Sequence, residues 1–151
     1  MTRALLVVGG LLATAFLILG LVVFLNRSED RVAVDNLLAE RLTRAIGVSE
    51  EEGDGRVDLT DVAPFPWDRV IVAAPGTSRD LVSEELGSPY TGDLPFGSLG
   101  QVFVFARGKR LARIADYRGR ATFTGFDRPL DVLPRDRAVL QVRDLVVSPP
   151  A

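Results

Sequence analysis

The chain has no cysteine and no histidine. The first absence removes disulfides, zinc–thiolate centres, thiol nucleophiles and lipidation of a cysteine. The second removes Ser-His-Asp and Cys-His catalysis, and imidazole as a metal ligand. Lysine is almost missing as well: Lys109 stands alone among 18 basic residues, the rest being arginine. That bias fits a GC-rich bacterial genome of actinobacterial type. Charge of one sign is also lacking. Twenty acidic residues leave a net charge of −2, so no global field draws in nucleic acid. The sequence contains no Walker phosphate loop, and no EF-hand spacing in its acidic stretch.

What the chain does have is an uncharged apolar run over residues 4–25, flanked by Arg3 and Arg27. At about 1.5 Å of rise per residue, a helix of that length crosses a hydrocarbon core of about 30 Å. Ala13-Thr14-Ala15 has the form of a signal-peptidase site, yet apolar residues continue past it, as they do in an uncleaved signal anchor. The flanking arginines Arg27, Arg31, Arg41 and Arg44 favour a cytoplasmic cargo by the positive-inside count. The short tail with Arg3 has the form of a signal-anchor leader, and long domains translocate largely regardless of charge, so an extracytoplasmic domain at the plasma membrane is expected.

The remainder divides by pattern. Residues 28–46 predict a helix capped by Ser28 and stopped at Gly47, with Glu40 and Arg44 as an i,i+4 pair. Residues 50–61 are acidic and glycine-containing, and predict a solvated linker. A short apolar strand follows at 70–74, then a helix opened by Thr77 or Ser78 and closed by Gly87. Residues 101–106 and 111–117 predict a hairpin with a II′ turn at Gly108-Lys109, pairing Phe105 with Ala112 and Phe103 with Ile114. Further strands are predicted at 121–126 and 138–142. The expected domains are therefore an anchor (1–26), a juxtamembrane helix and acidic linker (27–61), an α+β domain (62–147) and a disordered tail (148–151). The expected fold is one small antiparallel sheet of four to five strands with helix packing on one face.

Two groups of residues are singled out. Trp67 is the only tryptophan, and reads as a core anchor whose indole N–H needs a partner. Asp68 beside it reads as a turn cap or a partner of Arg69. A catalytic Asp68 requires a second placed carboxylate, for which Asp116 is the candidate. The second group is Arg107, Lys109, Arg110, Arg113, Arg118 and Arg120, opposed nearby only by Asp116. A hairpin gathers such residues into a surface for anionic lipid or polymer, or for an acidic partner protein. Arginine as the default polar residue on strand edges, where charge blocks sheet-to-sheet aggregation, is the competing and simpler account of them. No catalytic residue, cofactor site or metal site is expected.

The segment Phe65-x-Trp67-Asp68-Arg69-Val70, with Leu86-Gly87, the hairpin about Gly108-Lys109, and Tyr117, resembles a family of uncharacterised small secreted or membrane-anchored bacterial proteins. That resemblance covers about residues 59–144 and implies no activity. The run Gly76-Thr77-Ser78 to Pro89, followed by the hairpin, is similar to the small lipoproteins of the outer-membrane barrel-assembly machinery and to the β-lactamase-inhibitor-protein-like fold. These are protein-binding modules with helices on one face of an antiparallel sheet. The chain departs from them in lacking a lipidated cysteine and in placing a strand before the helix. The expected function is a membrane-anchored, non-enzymatic interaction or accessory module of the bacterial cell envelope. A carboxylate-based hydrolase and an inhibitor or immunity-type protein are the alternatives.

Overall fold

The computed structural model describes residues 32–53, 55–92, 100–127 and 129–150, which lie in the unit Arg31–Ala151. The apolar run 4–25, and with it the expected anchor, lies outside the described residues. Among the described residues no helix is long and apolar enough to cross a membrane.

The fold is α+β. In chain order it comprises α1 (Asn36–Glu52), β1 (Arg56–Asp58), α2 (Leu59–Val62), β2 (Arg69–Ala73), α3 (Arg79–Leu86), β3 (Val102–Arg107), β4 (Arg110–Asp116), β5 (Thr122–Phe123), β6 (Leu130–Pro134), β7 (Val139–Arg143) and β8 (Val146–Ser148). A 3-10 turn, Arg135–Arg137, joins β6 to β7. The expected single sheet is in fact two four-stranded sheets, ordered β4-β3-β2-β6 and β1-β7-β8-β5. The first is antiparallel throughout, while the β5–β8 pair of the second is parallel.

β2 and β3 read as unbroken apolar runs because both of their faces are covered, the condition under which a strand loses its polar alternation. Val70, Val72, Phe103, Phe105, Ala115 and Leu133 face the larger core with α1 and the inner side of the second sheet. Ile71, Ala73, Val102, Val104, Ala106 and Ile114 face a smaller core closed by Val82 and Leu86 of α3. Helices therefore cover both faces of the β4-β3-β2-β6 sheet rather than the one expected.

The expected helix 28–46 is displaced toward the C-terminus. Asp35, not Ser28, caps it by accepting from the Leu38 N–H at 3.0 Å, and residues 28–31 lie outside the described residues. Gly47 does not stop it. Leu42 and Ile46 are fully buried one turn before, and the Ser49 hydroxyl donates to the Arg56 carbonyl at 3.2 Å, so packing carries the helix on to Gly53 at φ +71°. The expected linker 50–61 is correspondingly part of the fold: α1 extends through its start, and Val57 and Leu59 are buried. The tail is ordered in part as well, since Ser148 ends β8 and Pro149 packs near Gly125.

The hairpin turn falls where expected, with Gly108 at φ +57°. Its register does not. Ala106 pairs Leu111 but Phe105 pairs Arg113, so Ala112 is a bulge residue with no partner. One extra residue exchanges the faces of everything beyond it, which puts Ala115 rather than Ile114 beside Phe103. The strand expected at 121–126 is only Thr122–Phe123, and β1, α2, β6 and β8 were not anticipated.

Candidate functional site

Phe65-x-Trp67-Asp68-Arg69 forms a latch at one end of the central sheet. Trp67 is 4% exposed, and its Nε1–H donates to the Ala63 carbonyl at 2.9 Å, which satisfies the indole. Its ring meets Phe105 edge-on at 5.2 Å, and the Arg135 guanidinium lies over it at 4.8 Å. Arg135 also donates through Nη1 to the Phe65 and Trp67 carbonyls at 3.2 Å each. Asp68 holds the hairpin turn: its Oδ2 accepts from the Gly108 N–H, and its own N–H donates to the Ala106 carbonyl at 2.9 Å. Arg69 completes the latch, donating to the Gly108 carbonyl at 2.8 Å and to the Glu85 and Leu86 carbonyls, the last of α3, at 3.3 and 3.4 Å. A cation at a helix C-terminus is favoured by the helix dipole.

The hairpin pattern suggests that most of the six basic residues gather at one end of the sheet, and the structure gathers three of them at the turn. β4 runs roughly 20 Å from Arg110 to Asp116 at about 3.3 Å per residue. Arg107, Lys109 and Arg110 sit exposed at the turn, and none of their side chains makes an ion pair or side-chain hydrogen bond with a described residue. Arg113 lies mid-strand, pairs with Asp35 and stacks over Phe65 at 5.0 Å. Arg118 is at the far end, bound through Nε to Asp116 Oδ2 at 2.9 Å and through Nη2 to Asn36 Oδ1 at 2.7 Å. Arg120 is exposed beyond it. Arg113 and Arg118 thus fasten the start of α1 to β4.

Two titrations follow from this geometry. Burial raises the Asp35 carboxyl, but the Leu38 N–H and the Arg113 guanidinium outweigh it and hold the group below its ordinary value. The hydrogen bond and charge of Asp116 raise Arg118.

Asp68 and Asp116 do not form the carboxylate pair that hydrolysis would require. Asp68 lies beside Ala106 and Asp116 pairs Val102, which separates them by roughly 13 Å along the strands. Glycoside hydrolysis places its carboxylates about 5–9.5 Å apart. Asp116 Oδ1 is buried with no hydrogen-bond partner among the described residues. A groove of about 780 Å³ opens between the end of α1 and the β7–β8 turn, and its lining includes Glu50, Asp144, Arg56 and Arg143. Among the described residues no group of three or more acidic side chains is placed to hold a metal ion.

No family model, curated protein or solved structure matches this chain. Sequence reasoning missed Arg135 and Asp35, which act over 68 and 78 residues of chain, a separation at which no local pattern signals a contact. Arg69 was legible only as a neighbour of Asp68, not as the link from the hairpin turn to α3.

Proposed function

We propose that the protein is a membrane-anchored, non-enzymatic interaction module of the bacterial cell envelope, with its folded unit outside the cytoplasm. It works by presenting the turn of the β3–β4 hairpin, with Arg107, Lys109 and Arg110, to an anionic partner. The observation that carries this reading is the contrast within one basic cluster. Arg113 and Arg118 are satisfied by Asp35 and Asp116, whereas the turn cations face solvent with no ion pair to a described residue. The backbone of the turn is also pinned by Asp68 and Arg69, so the Cα positions that carry the cations are fixed before binding and only the side chains remain to be ordered. The apolar run 4–25 supports the anchor.

The test is a C-terminal reporter active only outside the cytoplasm, with a reporter active only inside in parallel. Signal from the first supports the envelope module. Signal from the second overturns the placement and moves the partner to the cytoplasmic side.

A further inference from the structure

The direction in which the chain enters the folded unit says which partner the hairpin turn faces. Val34 bridges Ile114 in parallel, and the Asp35 N–H donates to the Ile114 carbonyl at 2.8 Å. The segment 32–34 therefore runs alongside β4 in the same direction, away from the hairpin turn. Followed backward, the parallel register puts Val32 level with Ala112, roughly 7 Å along the strand from Arg110. A second bridge, Val32 with Gly92, fixes that position from the α3 side. The chain thus enters the unit at the end that carries Arg107, Lys109 and Arg110.

The same end carries Arg137 on the 3-10 turn, because β6 finishes there with Pro134 opposite Arg69. Nearby negative groups are Asp68, Glu84, Glu85 and Asp136. Asp68 is engaged by Arg69 and the Gly108 N–H, and no acidic side chain of the described residues lies within ion-pair distance of the three turn cations. The far end of the sheet differs: there Arg118 is neutralised by Asp116, and Arg120 is the exposed cation.

We infer that the hairpin turn docks on anionic phospholipid headgroups of the bilayer that holds the chain's own apolar run. The inference rests on the anchored reading proposed above. Seven residue steps separate residue 25 from Val32, a reach of at most about 25 Å, so on that reading the tether is long enough for the entry end of the unit to reach the headgroups, and the charge of the turn supplies the attraction. Each of the three basic residues at such a surface shifts the docked-to-undocked ratio roughly fivefold, within a Debye length of the charge. Docking would fix the orientation of the unit against the membrane, with the far end of the sheet, at Asp116, directed away from it.

Because the chain is cysteine-free, single labelling sites can be introduced cleanly. The full chain is reconstituted into vesicles of phosphatidylcholine alone, or of phosphatidylcholine with phosphatidylglycerol, each containing nitroxide-headgroup lipid. A fluorophore is attached at Glu85→Cys near the turn or at Asp127→Cys at the far end. The expected result is strong quenching at position 85 in anionic vesicles, with little at position 127. Replacing Arg107, Lys109 and Arg110 by Ala should shift the docked-to-undocked ratio roughly a hundredfold and remove that quenching, as should high salt. If the chain inserts but quenching at 85 matches that at 127, or survives the triple substitution, lipid docking is wrong and the anchor stands. If the chain inserts into neither vesicle, the anchored reading fails and takes the inference with it.

Discussion

Replacing Asp68 by Ala distinguishes a structural carboxylate from a catalytic one. The substitution removes the acceptor of the Gly108 N–H and the partner of Arg69, whose Nη1 lies 3.2 Å from Oδ1. A hydrogen bond to a charged group is worth about 1.5–3 kcal/mol. Asp68 is 50% exposed, so water replaces part of that contact and the lower half of the range applies. The ion pair adds at most about 1 kcal/mol. Arg69 retains its bonds to the Gly108, Glu85 and Leu86 carbonyls. The expected cost is therefore about 1.5–3 kcal/mol, or roughly 5–12 °C in Tm for a domain of this size. Asp68→Asn, which keeps an oxygen acceptor, should lose less than half as much. Trp67 is the sole indole and packs against Phe105 one residue from the change, so its fluorescence during urea unfolding of the detergent-solubilised full chain reads the effect directly. A midpoint for Asp68→Ala equal to wild type would refute the latch.

Four further outcomes are expected. Asp144 and Leu145 both adopt positive φ, at 51° and 57°, in the β7–β8 turn, so changing the pair to Asn-Gly should stabilise the unit by about 1–2 kcal/mol in the same unfolding assay. The Asp35 carboxyl titrates below its ordinary value when folded, so its stabilisation is complete above the unfolded pKa of about 3.9 and is lost as pH falls through the lower folded value. Unfolding measured from pH 6 to 2 should therefore show a smaller acid loss in Asp35→Asn, which keeps the cap but not the charge. A Cβ at Gly100 would stand 2.3 Å from the Tyr117 carbonyl oxygen, a backbone atom that cannot swing aside, so Gly100→Ala should cost about 1–3 kcal/mol by thermal unfolding. Arg107→Ala, Lys109→Ala and Arg110→Ala should each leave the unfolding midpoint within about 0.5 kcal/mol of wild type, because their exposed side chains make no ion pair or side-chain hydrogen bond with a described residue.

The elements legible in the sequence were those whose signals are local. α3 has its Ser78 cap and Gly87 stop within ten residues of chain, and both hold: Leu81 N–H bonds Ser78 Oγ at 3.4 Å, and Gly87 adopts φ +70°. The apolar runs of β2 and β3 and the Gly108 turn were equally readable. So was the pairing of Glu40 with Arg44, at 2.5 Å. The β7–β8 turn escaped notice because Asp144-Leu145 carries no glycine or asparagine, and β6 because Pro134 and Asp131 disguise an edge strand as loop. On that edge Asp131 Oδ1 accepts from the Val132 N–H at 2.7 Å, so the side chain replaces a neighbouring strand.

Residue order alone determined the absence of thiol and imidazole chemistry, the single apolar run and the α+β class, because each depends on composition or on neighbours a few residues apart. The tertiary structure decided the rest. It divided the strands between two sheets, shifted β4 by the bulge at Ala112, and carried α1 through Gly47. It also separated the satisfied arginines from the exposed ones, since Asp35 and Arg113 lie 78 residues apart in sequence and Asp68 and Gly108 lie 40 apart. Pairings over such distances are fixed by which faces must be buried together, and charge patterning along a chain does not encode them.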